Sequence, residues 1–298
     1  VPRWLVALMS SDPGVDERRF EEGIRTREHV HGMKHEFVDF VSELCRVESP
    51  TDLPGTQSDV HALLEPALVD LGYDVRIVEG RTSGNHLLAM PKRRSKREPS
   101  QLLIGHSDTV WPLETLERMP VHVDEGRLHG PGTLDMKGGL SLIVFALRAL
   151  RDLGYVPEVA PVIFVNSDEE VGSPDSKKHV RRLARAASRA FVLEPALGLS
   201  GLIKTARKGL GRFEITVRGR AAHAGLDPEA GASAIVELSH VIQEVNRLND
   251  PGHGTTVNVG LIGGGTRPNV IAAEATASVD VRVTSLEHGR RVEERIRA

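Results

Sequence analysis

Residues 101–109 read Gln-Leu-Leu-Ile-Gly-His-Ser-Asp-Thr, a short apolar run that passes directly into a polar segment. Residues 160–170 read Ala-Pro-Val-Ile-Phe-Val-Asn-Ser-Asp-Glu-Glu and repeat this pattern, which is typical of a buried strand followed by a loop. Between them, Lys137–Leu153 has apolar residues at helical spacing and is followed by Gly154, which favours a helix end. Strand, helix and strand in this order predict an α/β fold with a mostly parallel sheet covered by helices.

The sequence before residue 101 predicts two helices and two strands. Apolar residues recur at helical spacing from Phe37 to Leu44 and again from Leu64 to Leu71. Strand-like runs follow at residues 74–78 and 85–90, and the glycine-containing turn between them allows the two runs to pair as neighbours. We interpret residues 1–31 as an N-terminal extension of unknown role.

The sequence after Lys204 changes to strict alternation of apolar and polar residues, as in a strand with one face in solvent. The predicted order of elements from there is β-α-β-β-α, which is the first part of a ferredoxin-like βαββαβ unit. The predicted elements are a strand around 213–218, a helix from about 232 to 248, strands near 256–262 and 275–284, and a helix from about Leu286. The closing strand is missing, so we expect this unit to be incomplete.

The composition limits the classes of function. The 298 residues, 40% of them hydrophobic, are enough for two domains. Thirty-eight Lys and Arg against 41 Asp and Glu give a net charge of −3, which lacks the basic excess of a nucleic-acid-binding protein. The single cysteine, Cys45, suits a reducing cytoplasm, and its apolar neighbours predict a buried helix position. The apolar run Trp4–Met9 is too short to span a bilayer, so we expect no membrane partner.

Two candidate functional residues follow the first apolar strand. His106 and Asp108 are two residues apart, so their side chains leave an extended segment on the same side. One could bind a metal while the other fixes the imidazole tautomer, and an ordinary polar strand end is the alternative. Asp135 lies in a glycine-rich turn at a helix start, where it could bind a metal or cap the helix.

A second group of carboxylates follows the later strands. Asp168, Glu169 and Glu170 are adjacent, and they repel one another unless a cation or solvent offsets their charge. Neighbouring side chains in an extended segment face opposite ways, so one glutamate could bind a metal while the other accepts a proton. Glu194 follows another strand-like run and precedes Pro195. The alternatives are a solvated acidic turn for the first group and a surface turn for Glu194.

The four segments that carry these residues, in this order, resemble the motifs of the di-zinc aminoacylase and glutamate carboxypeptidase family. They are Gly-His-Ser-Asp-Thr-Val from Gly105, Gly-Thr-Leu-Asp-Met-Lys-Gly-Gly from Gly132, Ser-Asp-Glu-Glu-Val-Gly-Ser from Ser167 and Leu-Glu-Pro-Ala from Leu193. The similarity runs from about His35 to the C-terminus. It implies a zinc-dependent catalytic domain at residues 32–204 and an inserted lid and dimerisation domain at residues 205–298, both incomplete.

The resemblance implies two zinc ions and assigns their ligands. His106 and Glu194 would bind the first ion, and Glu170 would bind the second. Asp135 would bridge the two ions. Zinc is therefore the expected cofactor.

The resemblance also implies residues that act on the substrate. Glu169 would be the general acid/base of amide hydrolysis, and Asp108 would orient the first histidine ligand. In a homodimer formed by the lid, His223 would reach a partner subunit's active site and stabilise an oxyanion. Asn269 and Arg282 would bind a substrate carboxylate. Without the resemblance, His223 is interpreted as an exposed loop residue and Arg282 as the outward residue of a strand.

The chain departs from the family pattern after Glu194. The resemblance implies a last histidine ligand for the second zinc ion, supplied by a segment that follows the lid, and residues 195–298 contain no such segment. We therefore expect a truncated form with an incomplete second site, formed by Asp135 and Glu170. One expected function is a zinc hydrolase that removes a C-terminal glutamate from a small peptide or, alternatively, deacylates N-acyl amino acids. The other is a non-catalytic metal-binding or interaction protein.

Overall fold

A computed structural model describes residues 13–93, 99–198 and 200–298 of the chain. The apolar run Trp4–Met9 and the first twelve residues of the predicted extension lie outside the described residues. The chain divides into two compact units, Val1–Pro195 and Ala196–Ala298. The domain limits expected after residues 31 and 204 stay predictions.

The first unit contains helices and strands whose limits follow the sequence pattern closely. The helices are α1 (Pro13–Gly32), α2 (Lys34–Arg46), α3 (Gln57–Asp70), α4 (Thr115–Arg118), α5 (Gly138–Asp152) and α6 (Lys177–Ala186). The strands are β1 (Tyr73–Val78), β2 (His86–Pro91), β3 (Ser100–His106), β4 (His122–Asp124), β5 (Arg127–His129), β6 (Ala160–Asn166) and β7 (Arg189–Val192). Helices α2 and α3 and the paired strands β1 and β2 confirm the predictions from apolar spacing.

Five strands form one sheet in the order β1-β2-β6-β3-β7, and β4 and β5 form a separate hairpin. Strand β2 is antiparallel to both of its neighbours, β1 and β6. Strand β3 is parallel to both of its neighbours, β6 and β7. The predicted α/β fold is confirmed, and the parallel strands are those that carry the predicted site. Because parallel strands end at one edge of the sheet, the residues that follow β3, β6 and β7 lie near one another.

The main core lies where the sheet packs against α2, α3 and α5. Leu44 of α2, Leu64 of α3 and Phe145 of α5 are almost fully buried together with Ile163 of β6. Burial of each such side chain contributes about 1.5–3 kcal/mol to stability. Cys45 is also buried, as its apolar neighbours predict. This core holds the helices against the sheet and thereby fixes the edge at which β3 and β6 end.

The described part of the predicted extension is helix α1, which packs against α5. A guanidinium nitrogen of Arg19 lies 2.7 Å from the carboxylate of Glu158, and Nε2 of His29 lies 3.3 Å from that of Asp152. Because these side chains are largely exposed, each pair contributes at most about 1 kcal/mol. No helix in the described part of the chain has the length and apolar character needed to cross a lipid bilayer.

The second unit is an antiparallel sheet with two helices packed on it. Its elements are β8 (Gly209–Arg218), α7 (Ala234–Asn246), β9 (Thr256–Gly264), β10 (Glu274–Val283) and α8 (Leu286–Arg297). The strand order is β8-β10-β9. Alternate apolar residues such as Phe213 and Ile215 pack into clusters with residues of both helices. The predicted order β-α-β-β-α is confirmed.

Candidate metal centre

The candidate site lies at the edge of the sheet where β3, β6 and β7 end. His106 is the last residue of β3, the acidic segment Asp168–Glu170 follows β6 closely, and Glu194 follows β7. Because β3 lies between the other two strands and is parallel to both, residues that are distant in sequence reach one place.

His106, Asp135 and Glu194 form a cluster of possible metal ligands. Nε2 of His106 lies 3.0 Å from Oδ1 of Asp135 and 3.4 Å from Oε1 of Glu194. The three possible ligand atoms all lie within 4.8 Å of one another. One imidazole nitrogen and two carboxylate oxygens are donors that zinc accepts, and three protein ligands leave the open position of a catalytic zinc site. The donor set therefore fits a zinc ion.

The position of Asp135 comes from an irregular turn. It lies in the π-helical turn Thr133–Lys137, where its backbone is extended with φ −122° and ψ 100°, and its peptide bond to Met136 is cis. Helix α5 begins three residues later at Gly138, and Lys137 occupies its N-cap position. The alternative that Asp135 caps this helix is therefore wrong.

Two neighbours of Asp135 anchor this turn. The buried side chain of Met136 accepts a hydrogen bond of 3.2 Å at Sδ from the backbone amide of His106. Nζ of Lys137 donates a hydrogen bond of 2.5 Å to the carbonyl oxygen of Val47, at the end of α2. Burial lowers the pKa of Lys137 to about 8. These contacts hold Asp135 beside His106.

Asp108 connects the two sides of the cluster. Its buried carboxylate accepts hydrogen bonds from Oγ1 of Thr51 at 2.8 Å and from the backbone amides of Glu169 and Glu170 at 3.3 and 3.2 Å. Nδ1 of His106 lies 2.9 Å from the carbonyl oxygen of Asp108 and 3.4 Å from its carboxylate. Sequence reasoning missed Thr51, because its contact joins residues 57 positions apart and no local pattern marks it.

Comparison with known proteins agrees with this arrangement. Residues 205–298 match the peptidase dimerisation domain of the M20 family. Carboxypeptidase G2 of Pseudomonas sp. strain RS-16 is 29% identical over 247 residues, which are 82% of this chain and 59% of that protein. Acetylornithine deacetylase of Myxococcus xanthus is 34% identical over 194 residues, which are 60% of this chain and 48% of that protein. This chain is homologous to the M20 metallopeptidases.

A solved structure shows that the fold is shared. The M20 family metallo-carboxypeptidase Sso-CP2 of Sulfolobus solfataricus superimposes with a TM-score of 0.66 and 14% identity, covering 88% of this chain and 74% of that one. The chain spans about three fifths of the length of carboxypeptidase G2 and less than half of the length of the deacetylase.

Gly139 lies against the segment that carries Glu194. A Cβ atom at Gly139 would lie 1.9 Å from the carbonyl oxygen of Leu193, a distance that no side chain tolerates. The start of α5 can therefore approach Leu193 only with glycine at this position. The glycine pair Gly138-Gly139 was visible in the sequence as part of a turn, but its contact with Leu193 depends on the tertiary structure.

The charge of the imidazole depends on the carboxylates around it. Burial alone would lower the pKa of His106, but hydrogen bonds with Asp108, Asp135 and Glu194 raise it to about 12. Burial raises the pKa of Asp108, and its interactions with His106 and Thr51 more than offset this, so that the pKa of Asp108 lies below its usual value. The carboxylates that stabilise a positive charge here would also stabilise a metal cation.

The two adjacent glutamates have raised pKa values. Burial is the main cause for Glu169, and it outweighs the opposing charge of His106. For Glu170, burial and the negative charge of Asp135 raise the pKa to about 7, although the charge of His106 lowers it. A raised pKa brings a carboxyl group closer to the range in which it accepts and returns a proton near neutral pH.

The predicted substrate-binding residues all lie on exposed positions of the dimerisation domain. His223 and Asn269 are on adjoining segments, because the backbone amide of Ala224 donates to the carbonyl oxygen of Asn269 at 3.0 Å. Arg282 lies on β10, where its Nε donates to the carboxylate of Asp280 at 2.9 Å. The roles expected for these three residues in substrate binding stay predictions.

Proposed function

We propose that this chain carries the site of a zinc-dependent amide hydrolase that removes a C-terminal glutamate or a similar residue from a small peptide or N-acyl amino acid. The observation that carries the proposal is the His106, Asp135 and Glu194 cluster with Glu169 and Glu170 beside it. Homology to carboxypeptidase G2 supports the same reaction class.

The proposed zinc ligands belong to two ions that share Asp135. His106, Asp135 and Glu194 would supply three ligand atoms to one ion. Asp135 and Glu170 are proposed as ligands of the second. A zinc ion in the first site would polarise the scissile carbonyl group and make water a stronger acid. We propose that His106, Asp135 and Glu194 hold the first ion, since catalytic zinc sites usually have three protein ligands.

Glu169 is the proposed general acid/base. Its carboxylate would take a proton from the attacking water and deliver it to the leaving amine. The backbone amides of Glu169 and Glu170 are both held by the carboxylate of Asp108, which fixes the direction in which Glu169 leaves the chain. Asp108 is therefore proposed as the residue that orients His106 and Glu169 relative to each other.

The free carboxylate of the substrate is the proposed partner of the dimerisation domain. A guanidinium binds a carboxylate through two parallel hydrogen bonds, which Arg282 could provide, and an amide such as that of Asn269 adds a further donor. His223 is proposed to stabilise the oxyanion in the active site of a partner subunit. We propose a homodimer formed through this domain and a location in the cytoplasm, with no nucleic-acid or membrane partner.

Substitution of Glu169 tests the reaction. We expect Glu169→Gln to lower kcat for an N-acyl-glutamate by about 10²–10⁴-fold, because the proton transfer is lost while the zinc ligands remain. Zinc content is measured on the same preparation. Glu65→Gln, on the exposed surface of α3, is the control and should leave kcat unchanged. Full activity of Glu169→Gln would contradict the proposed role.

A second candidate, deacylation of N-acyl amino acids, is favoured by homology to an acetylornithine deacetylase. Hydrolysis rates on N-acetylglutamate, N-acetylornithine and a peptide with a C-terminal glutamate separate the two reactions. A chain that binds zinc and hydrolyses none of these substrates would instead support a non-catalytic metal-binding or interaction protein.

A further inference from the structure

Ser107 lies between His106 and Asp108, and every polar group of this residue has a partner. Its backbone amide and its Oγ both donate to the carbonyl oxygen of Asn166, at 2.8 and 3.1 Å. Its own carbonyl oxygen accepts a hydrogen bond of 2.7 Å from Oγ of Ser49. The last contact is with a histidine of α3, since Nε2 of His61 lies 3.0 Å from Oγ of Ser107.

These contacts define the tautomer of His61. We assign the hydroxyl proton of Ser107 to its bond with the carbonyl oxygen of Asn166, so that the Ser107 oxygen accepts from Nε2 of His61. In this assignment Nε2 of His61 carries a proton. Nδ1 of His61 is buried and has no hydrogen-bond partner among the described residues. Burial, assisted by the charge of His86, lowers the pKa of His61 to about 4, in agreement with a neutral ring.

The same network continues from Asn166 into the acidic segment. Nδ2 of Asn166 donates to the carboxylate of Asp168 at 3.2 Å and to Oγ of Ser176 at 3.1 Å. The other oxygen of Asp168 accepts from the backbone amide of Ser176 at 3.0 Å. The residues of this network are almost fully buried. It joins the end of β3, which carries His106, to the end of β6, which precedes Glu169 and Glu170.

We propose that His61 is a positioning residue for the metal site, which acts through Ser107 to hold the ends of β3 and β6 in register. The hydrogen bond from Nε2 of His61 fixes the position of the Ser107 oxygen. The hydroxyl proton of Ser107 then points to the carbonyl oxygen of Asn166 instead of to another acceptor. The separation between His106 and the Glu169-Glu170 segment is thereby defined. The inference rests on the proposed metal site and deepens it.

The alternative is a buried histidine that only stabilises the core, and a matched pair of substitutions separates the two. The side-chain nitrogen of glutamine reaches about as far as Nε2 of histidine, whereas that of asparagine reaches only as far as Nδ1. His61→Gln therefore retains a donor for Ser107, and His61→Asn does not. Both variants are neutral amides, so the comparison isolates the hydrogen bond from the loss of the ring.

Zinc affinity is the main measurement, made on folded protein by competition with a chromophoric chelator. Loss of a residue that orients a metal ligand typically weakens binding by about 10- to 100-fold, and we expect His61→Asn to fall in this range. We expect the zinc affinity of His61→Gln to remain within about threefold of the wild-type value, because glutamine retains the donor for Ser107. Equal affinity of His61→Asn and the wild type would overturn the proposal, even if His61→Asn were less stable to heat.

Ser107→Ala provides a second route to the same conclusion and does not require any change in α3. It removes the acceptor of His61, so we expect the same weakening of zinc binding. The double variant should then bind no more weakly than either single variant, because one interaction is removed in each case. Additive losses would contradict the proposal. If His61→Asn does not fold, Ser107→Ala and His61→Gln still decide it.

The ring tautomer gives a readout that does not depend on zinc. Long-range nitrogen-proton NMR spectra of the histidine side chains should show His61 protonated on Nε2 at neutral pH. Protonation on Nδ1 would overturn the hydrogen-bond assignment. If the wild-type chain bound no zinc, the proposed metal site would be wrong, and this outcome is distinct from equal zinc binding by the wild type and His61→Asn.

Discussion

Nε2 of His106 lies 3.0 Å from Oδ1 of Asp135, yet the two side chains differ sharply in exposure, at 1% and 54%. The histidine is held from within the unit, by the backbone of β3 and by Asp108. Asp135 extends toward solvent from an irregular turn. A buried imidazole that meets a half-exposed carboxylate leaves one side of the cluster open for a metal ion and a substrate.

The proposed assignment of ligands to two ions predicts unequal effects of two similar substitutions. Loss of an outer partner already weakens zinc binding by about 10- to 100-fold, so removal of a ligand by Glu194→Gln should weaken it by at least about 100-fold. Glu170→Gln should change the affinity for the first ion far less, because we propose Glu170 as a ligand of the other ion. Isothermal titration with zinc tests both. Equal losses of zinc affinity in the two variants would contradict this ligand assignment.

Asp108→Asn should destabilise the first unit. The carboxylate accepts three hydrogen bonds, at Oδ2 from Thr51 and Glu170 and at Oδ1 from Glu169, and the single amide oxygen of asparagine cannot accept on both sides. Bonds to charged groups contribute about 1.5–3 kcal/mol each, so we expect the free energy of unfolding to fall by roughly 3 kcal/mol. Urea denaturation in the presence of a chelator measures this. Thr51→Val removes one of the three bonds and should lower the free energy of unfolding by only about 1.5 kcal/mol. Equal losses of stability in Asp108→Asn and Thr51→Val would contradict this expectation.

Gly139→Ala should disturb both stability and metal binding. The new methyl group would meet the carbonyl oxygen of Leu193 and displace the residue that precedes Glu194. Overpacking of this kind typically lowers stability by about 1–3 kcal/mol. Gly23→Ala is the control, because it lies in helix α1 with nothing within 4 Å of the added atom. That change should raise helix stability by roughly 0.5–1 kcal/mol. If Gly139→Ala bound zinc as tightly as the wild type, the close contact between Gly139 and Leu193 would not be needed for metal binding.

The buried ring of His61 predicts a loss of stability in acid. Its pKa is about 4 in the folded chain and 6.5 in the unfolded chain, so between these values the unfolded chain binds more protons. The contribution is therefore intact above pH 6.5 and is lost as the pH falls toward 4, to a total of roughly 3 kcal/mol. Between pH 7 and 4, the unfolding free energy of the wild type should fall by about this amount relative to that of His61→Gln. Parallel curves would contradict it.

Much of the fold follows from periodicity in the sequence. Helix α5 and the alternating strand β8 have patterns that are visible in ten to fifteen residues, because each element must bury one face. The order of the strands in the sheet does not follow from periodicity. Nothing local indicates that β6 lies between β2 and β3, since this depends on which surfaces pack together across the whole unit.

The candidate site divides in the same way. Its position directly after a strand predicted Glu194 as a site residue. Glu169 was predicted because the like charges of Asp168, Glu169 and Glu170 require an opposite charge or solvent. The same reasoning misread Asp135 as a possible helix cap, since a glycine-rich turn before a helix usually places its acid there. The π-helical turn that moves Asp135 off the helix end is held by Lys137 and Val47, residues far apart in sequence.

The sequence alone determined the α/β class, the β-α-β-β-α order of the second unit and the set of residues from which a metal site could be built, because these depend on local spacing and residue type. The tertiary structure alone decided that His106, Asp135 and Glu194 share one point, that Asp108 holds the Glu169-Glu170 segment, and that His61 reaches Ser107. Those relationships arise from hydrogen bonds and close packing between distant segments. Such contacts form only when the sheet and its helices have assembled, and they leave no periodic trace in the chain.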